Sequence, residues 1–557
     1  MLAASGWLWA ALLSGRLPRG IDASCYPLFL NEFHENLIRG TFVNVWAADL
    51  NFGYGDPYLL FRQPLLTYLH EIIFLLTRRY FAAVNLCNVV TLALAAWGMY
   101  SLARALLATL FREHPDVHPW GPITASVGYL LSPYLLYDLY IRGAYSESLC
   151  FAVLPWLALA FLRLAYKPSC RNLSLAALAY FCLSVAHPAI HLVAFPFLLA
   201  AGVLWRKEIK DPIPWALPIA LGLAASSYYW APALAERNAT KSALIDVDSY
   251  SYVHHLYRLD QILPPGLGTN VEDYRHFPGW LFLIGLGLGL WLWSDRGWRA
   301  SADARLRKAV LGLLGAVAAC VYLMHRSSGP WYELVPILQM MSFPSRFLTL
   351  TTFFSCLLAV LCAGTLLRRP WQWLCLTALL LVSSFFDLRR ASFSGLAEGQ
   401  FAPEAIISGG WGWIPRYTLP VTVPARPTAP APSLVEAVSG AATLDCGRSS
   451  PTRVECTAEV AQPGALRLNV FDFPGWTAFV DGKPAARTGR DPAHGALLVF
   501  VDLPGRHLVR WEFQDTPVRS ASKFVSLAAW LLLAALWFLS DVRPTRRGRF
   551  SYRILPQ

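Results

Sequence analysis

The sequence predicts a mainly α, polytopic membrane helix bundle of about twelve spans, followed by a C-terminal extracytoplasmic β-sandwich-like domain and a final membrane helix. Three observations predict it. Apolar runs of about 15 to 25 residues recur along most of the 557-residue chain, close to the roughly 20 residues a helix needs to cross hydrocarbon. Only 15% of the residues are charged and 55% are hydrophobic, whereas a soluble protein carries about 25% charged residues. That deficit excludes a soluble multidomain enzyme. Late in the chain the apolar pattern changes to period-two alternation, which reads as antiparallel strands.

The spans are expected near 1–14, 81–105, 121–137, 147–165, 172–186, 189–205, 213–233, 278–294, 309–325, 346–366, 371–386 and 522–540. With both termini cytoplasmic, the inner loops hold Lys167 and Arg171, "RKEIK" (206–210), "DRGWRASADARLRK" (295–308), "RRP" (368–370) and the tail "RPTRRGR" (543–549), all basic. The net charge of +12 therefore follows the positive-inside rule and does not call for a nucleic-acid partner. "PLLTYLHEIIFLL" (64–76) would break the alternation, and with His70 and Glu71 it reads as a helix in the membrane interface. The first span is short, with no basic residue before it, so it is not expected to be a cleaved signal peptide.

This topology leaves external segments at 15–63, 138–146, 234–277, 326–345 and 387–521. The chain divides into a transmembrane domain (1–387), a β-rich domain (388–521), a last helix (522–541) and a basic tail (542–557). In the β-rich part, "RPTAPAPS" (426–433) is a linker, and "ALRLNVFDF", "WTAFVDGK", "ALLVFVDL" and "HLVRWEF" alternate around Asp-Gly and Pro-Gly turns. Nine of the 11 cysteines lie in or beside apolar runs without metal-ligand spacing. Cys446 and Cys456, ten apart in a polar segment, read as a disulfide, which needs an oxidising compartment.

Candidate chemistry sits in the external loops. Asp22 follows the first span, so its carboxylate falls at the membrane surface, where it could take a proton from a sugar hydroxyl or bind a divalent metal; the plain alternative is a helix cap. In "YDLYIRGAYSES" (137–148), Arg142 has the planar fork that clamps a phosphate, Glu147 is a base or metal ligand, and Asp138 is a second acid; a structural ion pair fits these three equally well. His187 is a phosphate contact or a structural helix-end histidine. Arg346 either binds a lipid phosphate or snorkels to the interface. Arg62 is a further cation of low specificity. No "GxxxxGK[ST]", "HExxH" or strand-borne "GxGxxG" is present, which argues against ATP coupling and against a cytosolic nucleotide-sugar donor.

The motifs "GTFVNVWAADLNFGYGDP" (40–57), "QPLLTYL" (63–69), "RGAYSE" (142–147), "YYWAPALAE" (228–236), "PILQMMSFPSRF" (336–347) and "FDFPGWTAFVDGKPA" (471–485) resemble bacterial and archaeal membrane proteins. These are the 6-pyruvoyl-tetrahydropterin-synthase-related and YfhO-like groups, themselves similar to GT-C glycosyltransferases. The resemblance implies transfer of a sugar from a polyprenyl-phosphate donor to a glycan, lipid or protein acceptor on the outer face of an inner (cytoplasmic) membrane. It implies Asp22 and Glu147 as catalytic acids, with a Mg or Mn ion on the same two residues left open. It also implies Arg142, Asp138, Arg346 and His187 around the phosphate, and Trp46, Tyr54 and Tyr58 stacking on the sugar. A lipid or polysaccharide transporter and a non-catalytic envelope-assembly protein are the competing classes.

Overall fold

The computed structural model describes residues 12–20, 22–111, 120–206, 213–242, 251–262, 277–388, 392–409 and 416–539. The expected span 1–14 lies almost wholly outside the described residues, as do most of "RKEIK" and the basic tail. The fold is mostly helical, with a β-sheet region near the C-terminal end.

The longer helices are α1 (Cys25–Leu37), α2 (Pro64–Thr77), α3 (Tyr80–Leu110), α4 (Trp120–Leu130), α5 (Tyr145–Tyr166), α6 (Cys170–Ala186) and α7 (Pro188–Leu204). They continue as α8 (Ile213–Ala225), α9 (Ser227–Glu236), α10 (Trp280–Ser294), α11 (Ala304–Met324), α12 (Phe347–Leu366), α13 (Pro370–Leu388) and α14 (Pro517–Leu539). Among the described residues, five segments are long and apolar enough to cross a membrane: Tyr80–Leu110, Tyr145–Tyr166, Ala304–Met324, Pro344–Leu366 and Pro517–Phe538. The 17-residue helices α6 and α7 are also apolar, but at 1.5 Å per residue each rises only about 26 Å. Helix α2 is two-faced: His70 and Glu71 point inward while Ile72 and Leu76 are exposed.

Between Ala465 and Phe513 the alternation expected from sequence is realised as strands, and among the described residues nine strands from Val435 to Phe513 pair antiparallel in two sheets. One has the order β1 (Val435–Ala437), β4 (Gly464–Phe471), β8 (Ala496–Val501), β7 (Thr488–Arg490). The other runs β2 (Ala441–Ser450), β3 (Arg453–Gln462), β9 (Gly505–Phe513), β5 (Trp476–Val480), β6 (Lys483–Pro484). Leu466, Leu468 and Val499 from the first sheet share one core with Val454, Val509 and Trp511 from the second. Cys446 and Cys456 face each other across β2 and β3 and are disulfide-bonded.

Two ties join the sheets to the helices. Arg448 on β2 donates to the carbonyls of Ala48 (3.2 Å) and Gly53 (3.0 Å) and pairs with Asp49 at 3.4 Å. Arg519, at the start of α14 and 1% exposed, donates through Nη2 to Glu236 of α9 (2.6 Å) and to the carbonyl of Pro474 (2.9 Å). Helix α14 then packs along α6, α8 and α9, its Ser522 carbonyl accepting from Ser227 at 2.9 Å.

Candidate functional site

The first loop and the turn before α5 meet backbone to backbone. The amide of Asp22 donates to the Arg142 carbonyl at 3.0 Å. Side chains would prevent this: a Cβ on Gly20 would lie 2.7 Å from the Arg142 carbonyl carbon, and one on Gly143, which has φ +77°, 2.6 Å from the Ala23 nitrogen. The residues Asp138–Arg142 form a π-helical turn, a feature that recurs at functional sites because it redirects side chains out of the regular helical register.

That turn aims Arg142 at two acids. Its Nη1 donates to Asp138 (3.2 Å) and to Glu147 (3.1 Å), so the ion-pair arrangement anticipated for these residues is present. Glu147, on the first turn of α5, also accepts from the Tyr134 hydroxyl (2.6 Å) and from Thr349 of α12 (3.2 Å). Arg346 stands 4.0 Å from the same carboxylate, donates to the Met341 carbonyl at 2.9 Å, and lies 5.2 Å from the Phe343 ring centre. His187 caps α7, its Nδ1 accepting from the Ile190 amide at 3.3 Å, while its ring lies within electrostatic reach of Glu147 and Arg346. Tyr134 and Thr349 escaped sequence reasoning because single hydroxyls inside apolar runs carry no signal of their own.

Asp22 differs from both acids. Among the described residues its carboxylate accepts no hydrogen bond, yet it lies in the field of Arg142, Arg62, Arg346 and Glu147. Burial pushes its pKa above the ordinary 3.8, and the three arginines pull back part of the way. Asp138 is also raised, by burial first and the nearby Glu147 second. Arg62 is the cation that sequence ranked low. Its guanidinium lies 4.5 Å from the Tyr26 ring centre and 4.7 Å from Phe29, with Nη1 at 3.3 Å from the Tyr58 hydroxyl. Several buried polar atoms around the cluster have no hydrogen-bond partner among the described residues: Arg62 Nη2, Arg346 Nε, Asp138 Oδ2 and the Tyr145 hydroxyl. Native interiors rarely leave such groups unpaired.

The aromatics of the first loop need correction. Trp46 is 1% exposed and packs on Phe473, Trp476 and Phe513 of the β region. Tyr54 stacks on Phe471 at 5.3 Å, and its carbonyl accepts from the Phe471 amide. Tyr58 stacks on Phe29 at 4.2 Å. None presents a free face to a sugar; the first two close the seam between loop and sheets, and the third supports Arg62. Among the described residues no three His, Cys, Asp or Glu side chains are grouped to hold a metal ion.

A second feature lies along the same helices. An apolar cavity of about 550 Å³ is lined by residues such as Phe161, Phe197, Trp205, Ala316, Phe353 and Leu361. On α12 its lining begins at Phe353, one turn beyond Thr349, and it runs toward the far ends of α3, α5 and α7. The polar cluster thus lies at one end of α5 and α12, and the cavity lies toward the other, with residues 148–157 of α5 between them.

No curated protein matches the chain. A family model described as the 6-pyruvoyl-tetrahydropterin synthase related domain, a membrane protein, matches residues 61–393, and the chain, more than half of it covered from Arg62 through Arg346 and beyond, belongs to that family.

Proposed function

We propose that the protein is a membrane glycosyltransferase that moves a sugar from a polyprenyl-phosphate carrier to an envelope glycan, lipid or protein on the extracytoplasmic face. The family label carries no chemistry, so the reading rests on the site. The observation that carries it is Asp22, a partly buried carboxylate that accepts no hydrogen bond from the described residues, set among three guanidinium groups, with an apolar cavity farther along α5 and α12. A lipid-linked sugar phosphate has matching parts: an anion for the arginines, a hydrocarbon chain for the cavity and a sugar carbon facing the acid.

On this reading Asp22 takes the proton of an acceptor hydroxyl as its oxygen bonds to the anomeric carbon. The bond from that carbon to the phosphate oxygen breaks, and the carrier phosphate keeps the electron pair. A raised pKa makes Asp22 a stronger base near neutrality. Arg62 and Arg346, each with an unused buried N–H, meet the charge growing on the phosphate. Arg142 is held in place by Asp138 and Glu147, so Glu147 acts as a positioning residue. Arg142 is occupied by Asp138 and Glu147, while Arg62 and Arg346 keep buried N–H groups without a hydrogen-bond acceptor among the described residues, which suits an anion. The same crowding of guanidinium groups, with Glu147 already bonded to Tyr134, Thr349 and Arg142, does not suit a divalent cation.

The rest of the fold follows that reading. The shorter apolar helices complete about twelve crossings in the GT-C manner, the two sheets form an extracytoplasmic β-sandwich, and both termini are cytoplasmic. Supporting it, Lys167, Arg171, Arg296, Arg299, Arg368 and Arg369 lie at the helix ends opposite the Asp22 cluster.

The test is mass spectrometry of lipid-linked sugars and envelope glycans from cells lacking the protein, complemented with wild type or Asp22→Asn. The expected result is an accumulated polyprenyl-linked sugar beside a shortened glycan, rescued by wild type and not by an equally abundant D22N protein. Rescue by D22N points to a scaffold. Flipping of labelled lipid in proteoliposomes without an acceptor points to a transporter.

A further inference from the structure

The apolar cavity exists because small residues recur on one face of α11. Ala309, Gly312, Gly315 and Ala316 follow the helical repeat and all line it, and a Cβ placed on Gly315 would meet no atom within 4 Å. Larger side chains there would fill a volume of about 550 Å³, which is the size of a ligand pocket. Two polar side chains on the walls are already occupied: Thr109 donates to the Ala105 carbonyl (2.7 Å) and Trp215 to that of Leu198 (3.3 Å). The space therefore suits hydrocarbon.

One end of the cavity is basic. Helix α5 has 22 residues and rises about 33 Å, close to the thickness of a bilayer's hydrocarbon. Glu147 stands on its first turn, so Tyr166 on its last reaches the opposite headgroup layer. Tyr166, Trp205 just past α7 and Ala309 near the start of α11 all line the cavity, and each has a cation beside it in the chain: Lys167, Arg206 and Lys308. Lys308 Nζ lies 4.9 Å from the Trp205 ring centre, which sets a positive charge against the wall itself. Lys167 and Arg206 are exposed. Asp295 and Asp303, the acids described on the segment that leads into α11, cap helix starts, accepting from the amides of Gly297 (2.9 Å) and Arg305 (2.6 Å). A free phosphate would leave the cavity unused, and a neutral hydrocarbon would leave the cations unused.

We infer that the cavity holds a chain of an anionic phospholipid from the leaflet opposite Asp22, with its headgroup against Lys308. The carrier chain of the proposed donor would enter the same space from the other end, so the phospholipid and the donor exclude one another there. The lipid site stands on the cavity and its basic end; the competition rests on the transferase reading.

The experiment is native mass spectrometry of the full chain in detergent, titrated with dioleoyl phosphatidylglycerol, with zwitterionic dioleoyl phosphatidylcholine and with a polyprenyl phosphate. Phosphatidylglycerol is expected to bind more tightly than phosphatidylcholine. Lys308→Gln should raise its Kd about fivefold, the weight of one cation near a lipid headgroup, and leave phosphatidylcholine unchanged. Gly315→Leu should weaken both diacyl lipids by filling the cavity, while the lipid-free variant melts no lower than wild type, since Leu forms helix better than Gly. Ala316→Leu is the second filling variant. Equal binding of the two diacyl lipids, or phosphatidylglycerol binding unchanged by Lys308→Gln and by both filling variants, overturns the inference. Preference for the polyprenyl phosphate that ignores Lys308→Gln also overturns it and leaves the cavity to the carrier alone. Transfer assays separate the competition from the site. Phosphatidylglycerol that raises the donor KM in wild type, and raises it less in K308Q, supports both. Transfer indifferent to bound phosphatidylglycerol removes the competition and keeps the site, and Lys308-dependent binding with no transfer in wild type keeps the site and removes the transferase.

Discussion

Two buried charge clusters in this molecule use the same residue types and end differently. At the foot of α14, Glu236 accepts from Thr516 (2.6 Å) and from two nitrogens of Arg519 (2.6 and 3.1 Å), and Arg519 also donates to the carbonyls of Pro474 and Gln514, so each of its three nitrogens has an acceptor. Around Asp22 the accounting stays open, with guanidinium N–H groups on Arg62 and Arg346 unused and one carboxylate without a donor. Saturated hydrogen bonding marks a joint, and incomplete hydrogen bonding among like residues marks a place for something else. Buried charge alone does not separate the two.

The largest effect is expected from Asp22→Asn. Loss of a general base lowers rates by about 10²–10⁴, and with no hydrogen bond to lose the variant should melt with wild type. On the proposed mechanism Asp22 acts ionised, and its pKa lies above 3.8, so transfer should decline as pH falls through that raised value, on an acid limb at higher pH than an exposed aspartate would give. A D22N protein that transfers normally in a reconstituted assay breaks the comparison from its functional side.

Arg519→Ala attacks the other cluster. Leaving Glu236 buried and unpaired costs about 3–5 kcal/mol, visible as a lower melting temperature in detergent, while transfer per folded molecule stays intact. Replacing both partners with apolar residues, Arg519→Met with Glu236→Leu, should recover most of the loss. If R519A melts with wild type, saturation does not identify the joint.

Glu147→Gln falls between them. The amide oxygen can keep Tyr134 or Thr349, but Arg142 loses a charged partner. Stability should drop by about 1–3 kcal/mol and the donor KM should rise about tenfold, with a smaller change in kcat. A collapse in kcat at unchanged KM would instead place Glu147 among the reacting atoms.

The split between joint and site also explains what sequence could and could not give. Run length and hydropathy are local, so the helices at Tyr80–Leu110, Tyr145–Tyr166 and Phe347–Leu366 were legible, as were strands β4, β5, β8 and β9 from their alternation. Asp22, Arg142 and Glu147 were legible as charges beside apolar runs, where a lone charge is costly. Arg62 was not, because its weight comes from Tyr26, Phe29 and Asp22, none adjacent to it in sequence. Trp46 and Tyr54 misled for the same reason: a loop aromatic covering a sheet more than 400 residues away looks, in sequence, like one waiting for a sugar. Tertiary contact, not composition, decides whether a polar or aromatic group is already spoken for.

Asp56 offers the gentlest test of that statement, because it is a buried acid in neither cluster. It is fully buried, and Asn51 donates to Oδ2 at 3.0 Å, with Thr418 and the Tyr58 amide also hydrogen-bonding the carboxyl; burial outweighs them and raises its pKa to about 7. The folded state therefore holds a proton that the unfolded chain releases near pH 3.8. Stability from this group is full below pH 3.8 and declines as pH rises toward 7, by up to about 4 kcal/mol at 1.36 kcal/mol per pH unit. Asp56→Asn copies the protonated form, keeps an oxygen for Asn51 and has nothing to ionise. Its melting temperature should exceed that of wild type at pH 8 and meet it at pH 4, with transfer unaffected at a pH where both are folded. Parallel melting curves across that range would mean that the folded chain holds no extra proton on Asp56 and that burial does not set its ionisation.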